Sequence, residues 1–153
     1  MQQKLKNKLM LKAVIDTNVF VSAAITEKVK PAQILKAWRE KKLGVIISPG
    51  ILKEIGEVIF KPKIKRISFW TDKERHQLIK DLAKICIFTP GSLKLKKLLK
   101  HAPDHKFIVA AEEGKADYIV SGDRHLIDLG AYKGIKIVSV TEFLQILKNE
   151  LQE

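Results

Sequence analysis

The stretch "LKAVIDTNVFVSAAI", residues 11–25, decides the fold, because Asp16, Thr17 and Asn18 interrupt a run of otherwise apolar residues. The residues before Asp16 have the continuous aliphatic character of a buried strand, and the residues after it are typical of an apolar helix. Two interpretations of Asp16 are open. It caps the helix that follows, or it points into a ligand crevice beyond the carboxyl end of the strand.

Four more stretches have the composition of short buried strands, namely "LGVIIS", "ICIF", "DYIVS" and "IKIVSV". Amphipathic segments lie between the predicted strands, at 18–25, 31–41, 49–60, 71–84 and 104–113, and a last helix is predicted after Thr141. This alternation predicts an α/β fold with a parallel sheet covered by helices on both faces. The stretches "KPKIKRISFW" and "FTPGSLKLKKLLKHAPD" are predicted to be basic, irregular surface connections.

Length and composition predict one domain over residues 1–153, with residues 1–10 as a loosely ordered basic extension. Cys86 is the single cysteine, so no disulfide can form within the chain. The cytoplasm is therefore the expected location. No apolar run is long enough to cross a bilayer, and we expect no membrane anchor.

The chain is strongly basic, with 29 Lys and Arg against 17 Asp and Glu and a net charge of +12. Such a charge attracts polyanions such as RNA or DNA. A lysine-rich solvated surface would explain the same count. The charge therefore indicates a nucleic-acid partner only if the chain also carries chemistry suited to phosphates.

Three further acids are predicted to lie near Asp16. Glu54 belongs to a helix capped by Ser48, at the boundary between its apolar and solvent-facing sides. Asp104 lies on the buried stripe of its helix, in the first turn, and Asp123 follows the strand "DYIVS". Each acid also has an ordinary explanation, as a boundary glutamate or as a helix-capping residue.

Two other acids are assigned elsewhere by the same pattern. Asp117 opens the strand that ends before Asp123, so it lies at the opposite end of the sheet and is predicted to be structural. Asp128 lies one helical turn beyond Asp123 and is predicted to be a surface residue.

Four carboxylates in one crevice repel each other unless a cation lies among them, and Mg²⁺ prefers such oxygen ligands. Thr17, Asn18 and Ser121 are predicted to orient the carboxylates. A metal held there can activate water and stabilise charge on a phosphoryl oxygen, which is nuclease chemistry.

Four motifs together resemble the PIN-domain family, and within it the VapC-like toxin ribonucleases of prokaryotic toxin–antitoxin systems. In chain order they are "VIDTNVFVSA", "SPGILKEI", "PDHKFIVAA" and "ADYIVSGDRHL". The resemblance implies a three-layer α/β/α sandwich with a mainly parallel sheet, and Mg²⁺- or Mn²⁺-dependent endonucleolytic cleavage of RNA. It also implies a homodimer and a protein antitoxin that covers the site.

By this resemblance the family's catalytic acids fall on Asp16, Glu54, Asp104 and Asp123. Asp16 is expected to be the central metal ligand, with Asp104 and Asp123 sharing coordination. Glu54 is expected to hold a metal-bound water or to aid proton transfer. The sequence departs from the resemblance at His101, where relatives often carry another acid, which favours one metal over two.

One alternative stays open, a PIN-like module that binds RNA or a protein without cutting. Dinucleotide-binding, nucleotide triphosphatase, serine hydrolase and zinc motifs are absent from the sequence.

Overall fold

The computed structural model describes residues 10–26, 29–93 and 104–152. The predicted N-terminal extension, except for Met10, lies outside the described residues. His101 and most of the second basic connection lie outside them as well.

Six strands and eight helices form the described part of the chain. The strands are β1 (Lys12–Ile15), β2 (Gly44–Ile47), β3 (Ile87–Phe88), β4 (Tyr118–Val120), β5 (Ala131–Tyr132) and β6 (Ile135–Val138). The helices are α1 (Thr17–Ile25), α2 (Val29–Arg39), α3 (Pro49–Ile59), α4 (Pro62–Ile67), α5 (Asp72–Ile85), α6 (His105–Glu113), α7 (Arg124–Leu129) and α8 (Val140–Leu151).

The strands form one sheet in the order β3-β2-β1-β4-β6-β5. The pairs β1–β2, β2–β3, β1–β4 and β4–β6 are parallel, and β5 is antiparallel to β6. Helices flank this sheet in a three-layer α/β/α arrangement, which confirms the predicted fold class. The chain moves outward from β1 to β2 and β3 on one side and returns to β4 on the other, so the strand order reverses between β1 and β4. In sheets of this kind the crevice beyond the carboxyl ends at such a reversal receives ligands.

The core of the sheet is formed by strands that are apolar throughout. Ala13, Val14 and Ile15 of β1 are buried, as are all four residues of β2. Helix α6 packs against β1, β2 and β4, and α2 contributes the fully buried Trp38. Burial on both faces explains why these strands are continuously apolar in sequence instead of alternating.

Helix starts follow the capping signals in the sequence. The Ser48 hydroxyl accepts a hydrogen bond from the Ile51 N–H at 3.4 Å, and Pro49 is the first residue of α3. Reciprocal capping boxes begin α5, between Thr71 and Glu74, and α8, between Ser139 and Glu142.

Three short elements differ from the prediction. The stretch "KPKIKRISFW" contains α4, so predicting it as irregular was wrong over 62–67. No residue of α4 is buried, and α7 buries only Leu126, so neither helix has an amphipathic pattern to detect. Strand β5 has two residues, too few for an alternation to be visible.

None of the described helices combines the length and the apolarity that crossing a membrane requires.

Gly114, which ends α6, tests how tightly this helix packs on the sheet. A Cβ added there would lie 2.7 Å from Cγ2 and 2.8 Å from Cδ1 of Ile46, a buried residue of β2. We expect Gly114→Ala to lower the free energy of unfolding by about 1–3 kcal/mol, because the crowded core has to shift. Urea unfolding followed by circular dichroism measures this.

Gly50→Ala in α3 is the matched control, since nothing lies within 4 Å of an added Cβ there. It should leave stability unchanged or raise it by up to about 1 kcal/mol. Equal unfolding midpoints for the two variants would contradict the close approach of α6 to β2.

Candidate active site

Asp16 lies directly after β1, at the carboxyl end of the sheet, and is 4% exposed. Its backbone N–H donates to the Val120 carbonyl at 2.9 Å, which continues the pairing of β1 with β4. Its side chain accepts from the Asn18 N–H at 3.2 Å and from the Ser121 hydroxyl at 2.6 Å. Both interpretations of Asp16 are therefore compatible with the geometry, because one oxygen caps α1 while the other faces the end of β4.

Ser121 joins Asp16 to Asp123. Its fully buried hydroxyl donates to Asp16 and accepts from the Asp123 N–H at 2.9 Å. The Asp123 side chain accepts from the His125 N–H at 2.8 Å and caps α7. One hydroxyl thus links the side chain of Asp16 to the backbone of Asp123, two residues that follow neighbouring strands.

Glu54 is held from two directions, and both of its contacts come from other helices. The Thr17 hydroxyl, at the start of α1, donates to Oε2 of Glu54. The Lys106 ammonium, in the first turn of α6, lies 2.7 Å from Oε1, and the two side chains are 29% and 32% exposed. Glu54 therefore occupies the seam between core and solvent that its helical position predicts.

Asp104 immediately precedes α6 and is 5% exposed. Its side chain makes no capping hydrogen bond to the helix, so capping does not account for its burial. Lys106, two residues further on, connects this helix start to Glu54. The structure thus brings the first turn of α6 to the same end of the sheet as the other acids.

The remaining predicted residues are placed as follows. Asn18 reaches Asp16 through its backbone N–H, and its side chain is exposed, so any residue except proline could make the same contact at this position. Asp117 accepts from the Lys12 N–H at 2.9 Å, at the opposite end of the sheet, as predicted for a structural acid. Asp128 is exposed on α7.

The electrostatics of the site centre on Asp16. Burial raises the pKa of its carboxyl above the usual value of 3.8, and the negative charges of Asp123 and Glu54 raise this pKa further. The hydrogen bonds from Ser121 and the Asn18 N–H oppose this effect because they stabilise the charged form. The carboxyl of Asp16 therefore senses the negative charges of Asp123 and Glu54.

The donor set fits a hydrated hard cation. Among the described residues, no three His, Cys, Asp or Glu side chains lie close enough together to hold a metal as a complete cage. Mg²⁺ does not need one, because it usually binds one or two carboxylates and retains several waters. Asp16 and Asp123, coupled through Ser121, supply two such carboxylates.

Lys106 is the residue at this site that the sequence interpretation missed. In "PDHKFIV" it resembles any exposed lysine at a helix start, and only the fold brings it to Glu54. The only sequence signal is that Lys106 lies two residues after Asp104. This spacing does not predict a contact with Glu54 unless the packing of α3 against α6 is known.

The raised pKa of Asp16 has a measurable consequence for stability. The folded chain binds the proton of the Asp16 carboxyl more tightly than the unfolded chain does. The contribution of Asp16 therefore lowers the free energy of unfolding as the pH rises from 3.8 through the folded pKa. We expect Asp16→Asn to be more stable than the wild type at neutral pH without divalent cations. This difference should vanish below pH 3.8.

Urea unfolding as a function of pH, in EDTA, tests this expectation. Asp128→Asn, which neutralises an exposed acid on α7, is the control and should follow the wild type. The measured quantity is the unfolding free energy of Asp16→Asn minus that of the wild type. If this difference were smaller at neutral pH than at acidic pH, the environment of Asp16 would not disfavour the charged carboxylate.

Three comparisons place the chain among known proteins. Residues 12–125 match the PIN domain family. Over 122 residues the chain is 34% identical to the uncharacterized protein MJ1680 of Methanocaldococcus jannaschii, an alignment covering 80% of this chain and 77% of that protein. The crystal structure of PAE2754 from Pyrobaculum aerophilum has a similar fold, with a TM-score of 0.55 and 17% identity over 92% of this chain and 91% of the other. Given the extent of the family match and the identity to this relative, the chain belongs to the PIN domain family.

Proposed function

We propose that this protein is a Mg²⁺- or Mn²⁺-dependent endoribonuclease whose site is formed by Asp16, Glu54, Asp104 and Asp123. PIN domains are generally nucleases that use divalent metals, which supports nuclease activity in this chain. The observation that carries the proposal is the buried carboxylate of Asp16, whose pKa is raised by burial and by two neighbouring acids. Carboxyl groups whose pKa is shifted by burial and by neighbouring charges cluster at functional sites.

Each acid is proposed to contribute in a different way. Asp16 and Asp123 are the direct metal ligands, with Ser121 linking the side chain of Asp16 to the backbone of Asp123, and Asp104 completes the ligand set from the start of α6. Glu54, oriented by Thr17, accepts or relays the proton of the attacking water. When bound, the divalent cation supplies Lewis-acid stabilisation of the phosphate and makes water more acidic.

The biological setting is proposed by analogy with the toxin ribonucleases that the sequence resembles. In this proposal the protein is the toxin of a cytoplasmic toxin–antitoxin pair, it acts as a homodimer, and a protein antitoxin covers the acids. The net charge of +12 supports a polyanionic substrate such as RNA.

Cleavage of a mixed RNA pool tests the proposal directly. We expect the wild type to cut RNA with Mn²⁺ and not with EDTA. Asp16→Asn should lower the rate by more than about 100-fold, because a metal ligand is lost, and Ser121→Ala should lower it by about 10- to 100-fold, because the ligand is no longer oriented.

Asp117→Asn is the matched control, since it neutralises an acid at the opposite end of the sheet and should retain wild-type activity. Saturable Mn²⁺ binding by calorimetry, lost in Asp16→Asn, is the accompanying metal test. RNA that stays intact but bound, with or without EDTA, would replace the proposal with a non-catalytic RNA-binding module.

The ion pair between Lys106 and Glu54 gives a second test of the metal site. If Glu54 faces the cation, the Lys106 ammonium competes with the metal for the same negative charge. Lys106→Met should therefore raise the affinity for Mn²⁺ by about fivefold, which is the most that a partly exposed ion pair provides. Calorimetric titration in the absence of RNA measures this.

Lys53→Met has the same change in net charge and is the control. Lys53 lies on the exposed side of α3, next to Glu54 in sequence, and its partner is Glu57. Equal Mn²⁺ affinities for the two variants would show that Glu54 does not lie next to the metal.

A further inference from the structure

Helix α4 and the turn that follows it form a second surface of unusual composition, which we name the basic aromatic face. It consists of Lys61, Lys63, Arg66, Ile67 and Phe69, all of them exposed. No acid occurs between residues 61 and 70. Positive charge and apolar side chains are thus presented together on one short element.

Most of the positive charge on this face is not neutralised by the protein. Lys65, in the same helix, lies 3.3 Å from Asp72, which also pairs with Arg75. Lys61, Lys63 and Arg66 take part in none of the ion pairs among residues 10–26, 29–93 and 104–152. These three cations are available to an external anion.

Phe69 is displayed on a turn that is held in place. Its side chain is 62% exposed, while its backbone N–H donates to the Ala24 carbonyl at 2.8 Å. The Ser68 hydroxyl donates to the same carbonyl at 3.0 Å. The buried Arg75 side chain donates to the Trp70 carbonyl at 2.7 Å from the other side. An exposed phenyl ring on an anchored turn loses little conformational freedom when a ligand stacks on it.

Helix α1 connects the acids to the turn that carries Phe69. The helix begins at Thr17, beside Asp16, and Ala24 lies seven residues further along it. The Ala24 carbonyl is the group that anchors the turn. At 1.5 Å per residue the turn is about 10 Å along the helix from the acids.

We propose that the basic aromatic face binds the single-stranded RNA whose neighbouring phosphodiester lies at the acids, a proposal that rests on the proposed ribonuclease function. Lys63 and Arg66 contact phosphates, and Phe69 stacks on a base. A groove of cations with an aromatic platform is how single strands are held without reading their sequence. Uncompensated cations favour this polyanion over a protein partner.

Fluorescence anisotropy with a labelled single-stranded RNA, in EDTA, tests the proposal on the full-length protein without cleavage. Lys63→Ala combined with Arg66→Ala should weaken binding about tenfold. It should also reduce the dependence of log affinity on log salt by about 0.7 for each lost phosphate contact, measured between about 50 and 200 mM salt. Phe69→Ala should weaken binding about tenfold, while Phe69→Tyr should bind like the wild type.

Lys136→Ala combined with Lys148→Ala is the matched control, with the same change in net charge. Lys136 lines a groove at the opposite end of the sheet, and Lys148 is exposed on α8. This double variant should keep wild-type affinity within about twofold, because screening limits the effect of distant charges. Since all the replaced side chains are exposed, circular dichroism melting should be unchanged.

Equal losses in the two double variants, unchanged binding by Phe69→Ala, or no RNA binding by the wild type would each overturn the proposal. RNA binding that is unchanged in the variants of the basic aromatic face would favour a protein partner for this face. Failure of the ribonuclease function is recognised separately, as intact RNA in the presence of Mn²⁺. In that case the binding series still reports whether this face contacts RNA.

Discussion

The burial of one carboxylate, that of Asp16, constrains everything else at the candidate site. A charged oxygen that leaves water needs hydrogen bonds, and Asp16 obtains them from the Ser121 hydroxyl at 2.6 Å and the Asn18 N–H at 3.2 Å. The Ser121 donor is available because β1 and β4 are neighbours and end together, whereas the Asn18 N–H is supplied locally by the start of α1. The sheet order thus determines which side chains can reach Asp16. Other acids are also nearby, so the protein keeps this charge in an environment that raises its pKa instead of stabilising it.

The charge of Glu54 is partly balanced by its neighbours. The carboxylate accepts a hydrogen bond from Thr17 on one oxygen and pairs with Lys106 on the other, so helices α1, α3 and α6 meet at one side chain. The ammonium offsets part of the repulsion among the acids even when no other cation is bound. A single lysine does not neutralise several carboxylates, so part of this repulsion stays in the folded protein.

The sequence contained most of the fold, because five of the six strands are long or apolar enough to stand out from their surroundings. It predicted Ser48 as a helix cap, and it predicted Glu54 at the boundary between the apolar and solvent-facing sides of its helix. Both predictions depend on local geometry alone. It did not predict α4, which buries nothing, or Lys106, whose partner lies on another helix. For Asp104 the local signals placed the side chain on the buried stripe and allowed capping as an alternative, and the side chain is buried without a capping bond. Contacts between distant segments are set by packing, and no single stretch of sequence encodes them. The chemical roles of the four acids stay predictions for the same reason.

The two edges of the sheet have a consequence for how copies of this chain can meet. The outermost described strands, β3 and β5, are two residues long. Strands this short offer too few unpaired backbone groups for another chain to continue the sheet. A continuous sheet running through two molecules is therefore disfavoured, and self-association has to bring side-chain surfaces of helices and loops together. The geometry of any assembly would then depend on residues at the surface, which can change without disturbing the backbone ladder that holds the acids.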